Sequence, residues 1–159
     1  MLYWIAALAT IAGQPQAPPA AAPPAIVFVC EHGAAKSVIA TAYFNKLAAE
    51  RGLPYRATFR GTSPQDDLSA RAVAGLKADG IPVPSGKPAA IGDADVQAAT
   101  HVFAIGCPLP EKVRRSGKAS DWSDVPDDRG YEPMRDAIVR HVKALLDELA
   151  PRGRASRHD

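Results

Sequence analysis

Residues 26–37, Ile-Val-Phe-Val-Cys-Glu-His-Gly-Ala-Ala-Lys-Ser, constrain this chain more than any other stretch. Ile26-Val27-Phe28-Val29 is apolar on both alternating faces. A strand of that kind has to be covered on both sides, as in the middle of a parallel sheet. A cysteine ends the run, small residues follow, and a cation and a hydroxyl precede a stretch with helical periodicity over residues 37–50, where Val38, Ile39, Ala42, Tyr43 and Leu47 form an apolar stripe. Gly52 and Pro54 stop that helix. The unit is therefore strand, loop, helix. In open α/β sheets ligands gather at the carboxyl ends of the strands. The N–H groups and dipole of a helix amino end favour anions there. Gly33 can take positive φ, and Ala34 and Ala35 put no bulk between backbone donors and a ligand. The segment reads as an anion cradle with a thiol, Cys30, beneath it.

The rest of the chain repeats the alternation. Residues 55–60 read as a strand and 61–64 as a turn. Residues 68–78 read as a helix ended by Asp79-Gly80, and residues 81–87 as a Pro/Gly-rich loop. A short helix is expected over 93–99 and an apolar strand over 101–106, ending at Cys107. Residues 108–128 look irregular, with a short strand near Trp122. The clearest helix covers 134–149, where Met134, Ile138, Val142, Leu145 and Leu149 share a face and Pro151 follows. Strands alternating with helices imply a doubly wound α/β domain with a parallel sheet.

Composition bounds the alternatives. The chain has 159 residues, which suits one domain. With 19 Lys+Arg against 17 Asp+Glu the formal charge is +2, too little basic excess for a nucleic-acid binder. At 47% hydrophobic and 23% charged residues it is not a disordered chain. Its two cysteines, Cys30 and Cys107, cannot form a disulfide scaffold, and no His/Cys spacing suggests a metal site.

Charge is absent from the first 24 residues. Residues 1–13 hold an apolar run too short to span a bilayer, with small residues at its end, and are expected to be a signal peptide. Residues 14–25 are a Pro/Ala linker that favours extended backbone. The folded domain is expected over 26–150, with a polar tail over 151–159. A cleaved leader implies a periplasmic or secreted protein; without one the protein is cytoplasmic. No stable membrane span is expected.

Two phosphate-loop patterns compete for the cysteine loop. The nucleotide-binding form, G-x-x-x-x-G-K-[ST], fails because Cys30 and Ala35 stand at its glycines. The other form is Cys, five residues, a cation, then Ser or Thr. In this the chain resembles the low-molecular-weight protein tyrosine phosphatases and the related arsenate reductases. The resemblance covers roughly residues 25–150. Arg60-Gly61-Thr62 resembles the family's turn after its second strand. Ala78-Asp79-Gly80-Ile81 resembles the end of its second helix, and the 101–107 segment its third strand. Trp122-Ser123-Asp124-Val125-Pro126-Asp127 resembles the loop carrying the general acid. Arg135-Asp136-Ala137-Ile138 resembles the closing helix of the arsenate-reductase branch.

The resemblance implies a three-layer α/β sandwich with a four-stranded parallel sheet. It also implies a phosphomonoesterase working through a cysteinyl-phosphate intermediate on Cys30, without metal or cofactor. Glu31, His32, Gly33, Ala34, Ala35 and Lys36 would bind the oxyanion. Ser37 would hydrogen-bond the thiolate, and Asp124 would be the general acid, with Asp127 as the alternative. The substrate would be a phosphorylated molecule or another oxyanion. An arsenate reductase is the alternative, with Cys107 or an external thiol (thioredoxin-type or small) resolving the intermediate. A third reading is an oxyanion-binding module without catalysis. It is motivated by Lys36, which stands where the family has arginine. A lysine keeps the charge but not the planar two-pronged grip, a difference of about 1–3 kcal/mol in transition-state binding. Gly33 stands where the family usually has Asn, and both residues tolerate left-handed backbone.

Overall fold

The computed structural model describes residues 22–127 and 129–151; the expected leader, most of the linker and nearly all of the polar tail lie outside the described residues. Four strands form one sheet in the order β2-β1-β3-β4, every neighbouring pair parallel: β1 (Ala25–Cys30), β2 (Arg56–Gly61), β3 (Ala99–Ala104) and β4 (Ala119–Asp121). The helices are α1 (Lys36–Glu50), α2 (Ala70–Ala78), α3 (Asp93–Ala98), α4 (Glu111–Arg114) and α5 (Tyr131–Leu149).

The doubly apolar character of β1 follows from its central place. Ile26 and Phe28 face a core shared with Val38 and Phe44 of α1 and with Ile138, Val142 and Leu146 of α5. Val27 and Val29 face a second core with Val102, Leu109 and Val113. All four side chains are essentially fully buried. Helices thus cover both faces, giving the expected three-layer sandwich. Among the described residues no helix is long and apolar enough to cross a membrane.

Element boundaries depart from the sequence reading where a local device overrides periodicity. Helix α2 begins at Ala70, because Ser69 is its cap and its Oγ accepts from the Ala72 N–H. Helix α5 begins at Tyr131, three residues before the first periodic apolar position. Pro133 lies in its first turn, where a missing N–H costs nothing. Strand β3 starts at Ala99, recruited by pairing with Ala25, and ends before Gly106, whose φ is 62°. The segment expected to be irregular holds the single turn of α4, and β4 ends at Asp121, just before Trp122.

Candidate active site

Cys30 ends β1 and Lys36 opens α1, so the intervening loop sits at the carboxyl edge of the sheet. Its outer side is strapped by the connection between β2 and α2. The N–H groups of Thr62, Ser63, Gln65 and Ser69 donate to the carbonyls of Cys30, Glu31, His32 and Ala34 at 3.2, 2.8, 3.2 and 2.9 Å. Among the described residues, no hydrogen bond engages the backbone N–H groups from Glu31 to Ser37. A loop whose carbonyls are taken and whose donors are free is suited to an anion.

The strap demands very close backbone contact. Gly33 has φ 60°, and a Cβ there would lie 2.8 Å from the Gly61 nitrogen; a Cβ on Gly61 would lie 2.8 Å from the Gly33 nitrogen. Each glycine is required by the other's presence.

Cys30 is buried, and its Sγ lies 3.1 Å from the Oγ of the fully buried Ser37. Lys36 is also buried, which a charged side chain accepts only with a partner. The partner is Asp127, whose Oδ1 is 2.7 Å from Nζ. Lys36 Nζ also lies against Gly106, where a Cβ would approach it to 2.9 Å. Together these residues line a cleft of about 450 Å³ that takes in Cys30, the side chains of Glu31 and His32, Ala34 and Ala35, Lys36 and Asp127. Glu31 and His32 are exposed at its mouth, and the His32 ring lies 3.3 Å from the Ser63 carbonyl.

The two candidate acids part company here. Asp127 lines the cleft and contacts Lys36. Asp124 does not line it. Its carboxylate accepts from His141 Nε2 at 2.6 Å and Arg140 Nη2 at 2.8 Å, both on α5. The hydrogen bond from His141 is the main cause holding the Asp124 carboxyl below the usual range.

Cys107 lies outside the cleft. Its thiol points at the Val29 carbonyl, 3.6 Å away, beside Leu109 and Ala119. Burial pushes that thiol up to about 11, with the neighbouring Cys30 adding to the shift. Both cysteines are free. Tyr43 and Tyr131 each donate to Asp79 at 2.7 Å, and Tyr131 also lines a cavity adjoining the cleft beside Asp127 and Met134. Arg135 binds the same carboxylate at 3.0 Å. These tyrosine hydroxyls hold Asp79 below the ordinary carboxylate range, while burial, and next Asp79 itself, push Tyr43 up to about 12. His101 stacks on Phe103, and His158 lies outside the described residues. Among the described residues no cluster of three or more His, Cys, Asp or Glu could hold a metal ion.

Sequence reasoning did not single out four residues that line the cleft: Gln65, Ser69, Gly106 and Met134. Ser69 had a readable signal as a helix cap. Met134 was legible as an apolar helix position but not as part of a site, and Gln65 and Gly106 carried no signal.

A buried cysteine and serine under a strapped loop of free amides, with a lysine at a helix start, form an arrangement suited to an oxyanion at the edge of a parallel α/β sheet. Over residues 25–154 the sequence matches the family described as low molecular weight phosphotyrosine protein phosphatase, and the chain belongs to that family. It is accordingly a cysteine-dependent enzyme. Its fold is similar to that of a thioredoxin-dependent arsenate reductase from Corynebacterium glutamicum (20% identity, TM-score 0.66, covering 82% of this chain and 63% of that one). The chain thus spans less than two thirds of that protein. It is also similar to a low molecular weight protein tyrosine phosphatase from T. tengcongensis (19%, 0.67, 79% and 99%) and to the YwlE arginine phosphatase from Geobacillus stearothermophilus (22%, 0.67, 80% and 93%). A search among curated proteins finds no match.

Proposed function

We propose that the protein hydrolyses phosphomonoesters, with Cys30 as nucleophile and Asp127 as general acid and base. The observation that carries this reading is the meeting of Cys30, Ser37, Lys36 and Asp127 around one cleft. The Cys30 thiolate, supported by the Ser37 hydroxyl and the helix amino end, attacks phosphorus. The P–O ester bond breaks, and the leaving oxygen takes the proton of a protonated Asp127. Water then attacks the cysteinyl phosphate and gives a proton to Asp127. The P–S bond breaks, releasing phosphate and restoring the thiolate. Lys36 and the amides of residues 31–37 offset the charge on the transferring group. No step needs a metal.

Asp124 was the preferred acid from sequence. Its engagement by His141 and Arg140 favours Asp127 instead. Arsenate reduction is the second reading, and the site favours an external thiol for it. Cys107 bonds away from the cleft, and its raised pKa leaves little thiolate at neutral pH. Export remains our reading of residues 1–13.

The decisive assay is vanadate-sensitive hydrolysis of p-nitrophenyl phosphate. Cys30→Ala is expected to lower turnover at least about 10³-fold. Arsenate reduction driven by an added thiol, without phosphate-ester hydrolysis, would select the second reading. Phosphate binding without either activity would select the silent module.

A further inference from the structure

Asp127 reaches the cleft from a connection between β4 and α5 that has few backbone hydrogen bonds among its described residues, and its side chain is 70% exposed. Its upstream end is fixed by one backbone bond and a cluster of side chains. The Trp122 N–H donates to the Ala104 carbonyl at 2.8 Å, and the indole packs on Phe28 and Phe103, with ring centroids 5.3 and 5.0 Å away. The His141 ring stacks on the indole, 4.8 Å away and 12° from parallel. The same His141 donates to Asp124, Arg140 grips its other oxygen, and Val125 is buried beside them. One end of the loop is thus stapled to the middle of α5, while Asp127, two residues beyond Val125, pairs with Lys36.

Resting on the phosphatase reading above, we propose that Asp124 is a positioning residue: clamped by His141 and Arg140, it sets the loop so that Asp127 can deliver its proton to the leaving group. Nothing in this role requires Asp124 to touch substrate. An ion pair this exposed contributes little to global stability. Its effect is geometric, because misplacing a catalytic group by about 1 Å can cost about 10²-fold in rate.

The clamp has a kinetic signature. A poorly placed acid matters most when the leaving group is a strong base, and least when the departing anion is already stable. We would compare kcat/KM, which covers the steps through formation of the cysteinyl phosphate, for phenyl phosphate and p-nitrophenyl phosphate. The variants are Asp124→Asn and His141→Phe, the second keeping a ring against Trp122 while losing the donor. Both are expected to lower kcat/KM about tenfold for phenyl phosphate and about twofold or less for p-nitrophenyl phosphate. Asp127→Asn should show the same bias more strongly, and adding Asp124→Asn to it should cost little further. An unchanged substrate ratio, with Cys30-dependent p-nitrophenyl phosphate turnover intact, overturns the clamp alone. So does an additive loss in the Asp124→Asn/Asp127→Asn double variant. Absence of Cys30-dependent turnover in the wild type overturns both the clamp and the phosphatase reading.

Discussion

The two loops that meet at the cleft are built on opposite plans. The cysteine loop is short, with its ends at Cys30 and Lys36 buried. It is closed on its outer side by backbone bonds from residues 62–69 and by two glycines in mutual contact. The loop bearing Asp127 is longer and more exposed, and is held at its two ends by side chains. Upstream the holders are Trp122, Asp124 and His141. Downstream Asp79 gathers Tyr43, Tyr131 and Arg135 at the start of α5. The proposed nucleophile is placed by main chain and the proposed acid mainly by side chains. Substitutions around the first should therefore damage the fold, and substitutions around the second should mainly alter rates.

The largest break in that contrast is expected at Gly33. Gly33→Ala adds a Cβ 2.8 Å from the Gly61 nitrogen at φ 60°. Strain of this kind costs about 1–3 kcal/mol in stability, or shifts the loop and removes activity. Chemical denaturation together with phosphate binding would read both results. If the variant keeps wild-type stability and phosphate affinity, the main-chain account of this loop is wrong.

A smaller effect belongs to the bridge between the two loops. Lys36→Arg should raise kcat/KM for p-nitrophenyl phosphate by about tenfold, because a guanidinium can grip two phosphoryl oxygens at once. The new side chain has to fit between Gly106 and Asp127. A fall in rate without loss of stability would show that the slot is shaped for lysine.

The smallest effect concerns the downstream anchor. Asp79 is held below its ordinary pKa by hydrogen bonds from Tyr43 and Tyr131 and by Arg135. The stability it contributes is present in full above an unfolded carboxyl pKa of about 3.9 and is lost as pH falls through the lowered folded value. Urea midpoints of wild type and Asp79→Asn should therefore differ at neutral pH and converge in strong acid. An unchanged gap on acidification would show that the anchor is not electrostatic.

Legibility from sequence followed the same division. The apolar run through Val29, the cysteine, the small residues and Lys36-Ser37 are adjacent in the chain, so strand, cradle and helix could all be read together. Positive φ at Gly33 is a local property and was legible too. The partner of Lys36 was not, because Asp127 lies 91 residues away and is chosen over Asp124 by where α5 places His141 and Arg140. The Trp122 indole, close to Asp124 in the chain, belongs to the anchor and not to the cleft. Asp79 read only as part of a helix stop. Its three partners come from α1 and α5, and no spacing rule connects them.

The strap on the cysteine loop ties the shape of the site to a distant part of the chain. The outer bonds of residues 30–34 come from the segment that follows β2, so they exist only where β2 lies beside β1. That closure joins positions some thirty residues apart, so it belongs to the slower, non-local part of folding. A partly folded chain would carry the sequence of the cradle without its shape. An oxyanion that binds the native cradle should then draw the population toward the native state by mass action, making inorganic phosphate a folding ligand as well as the proposed product.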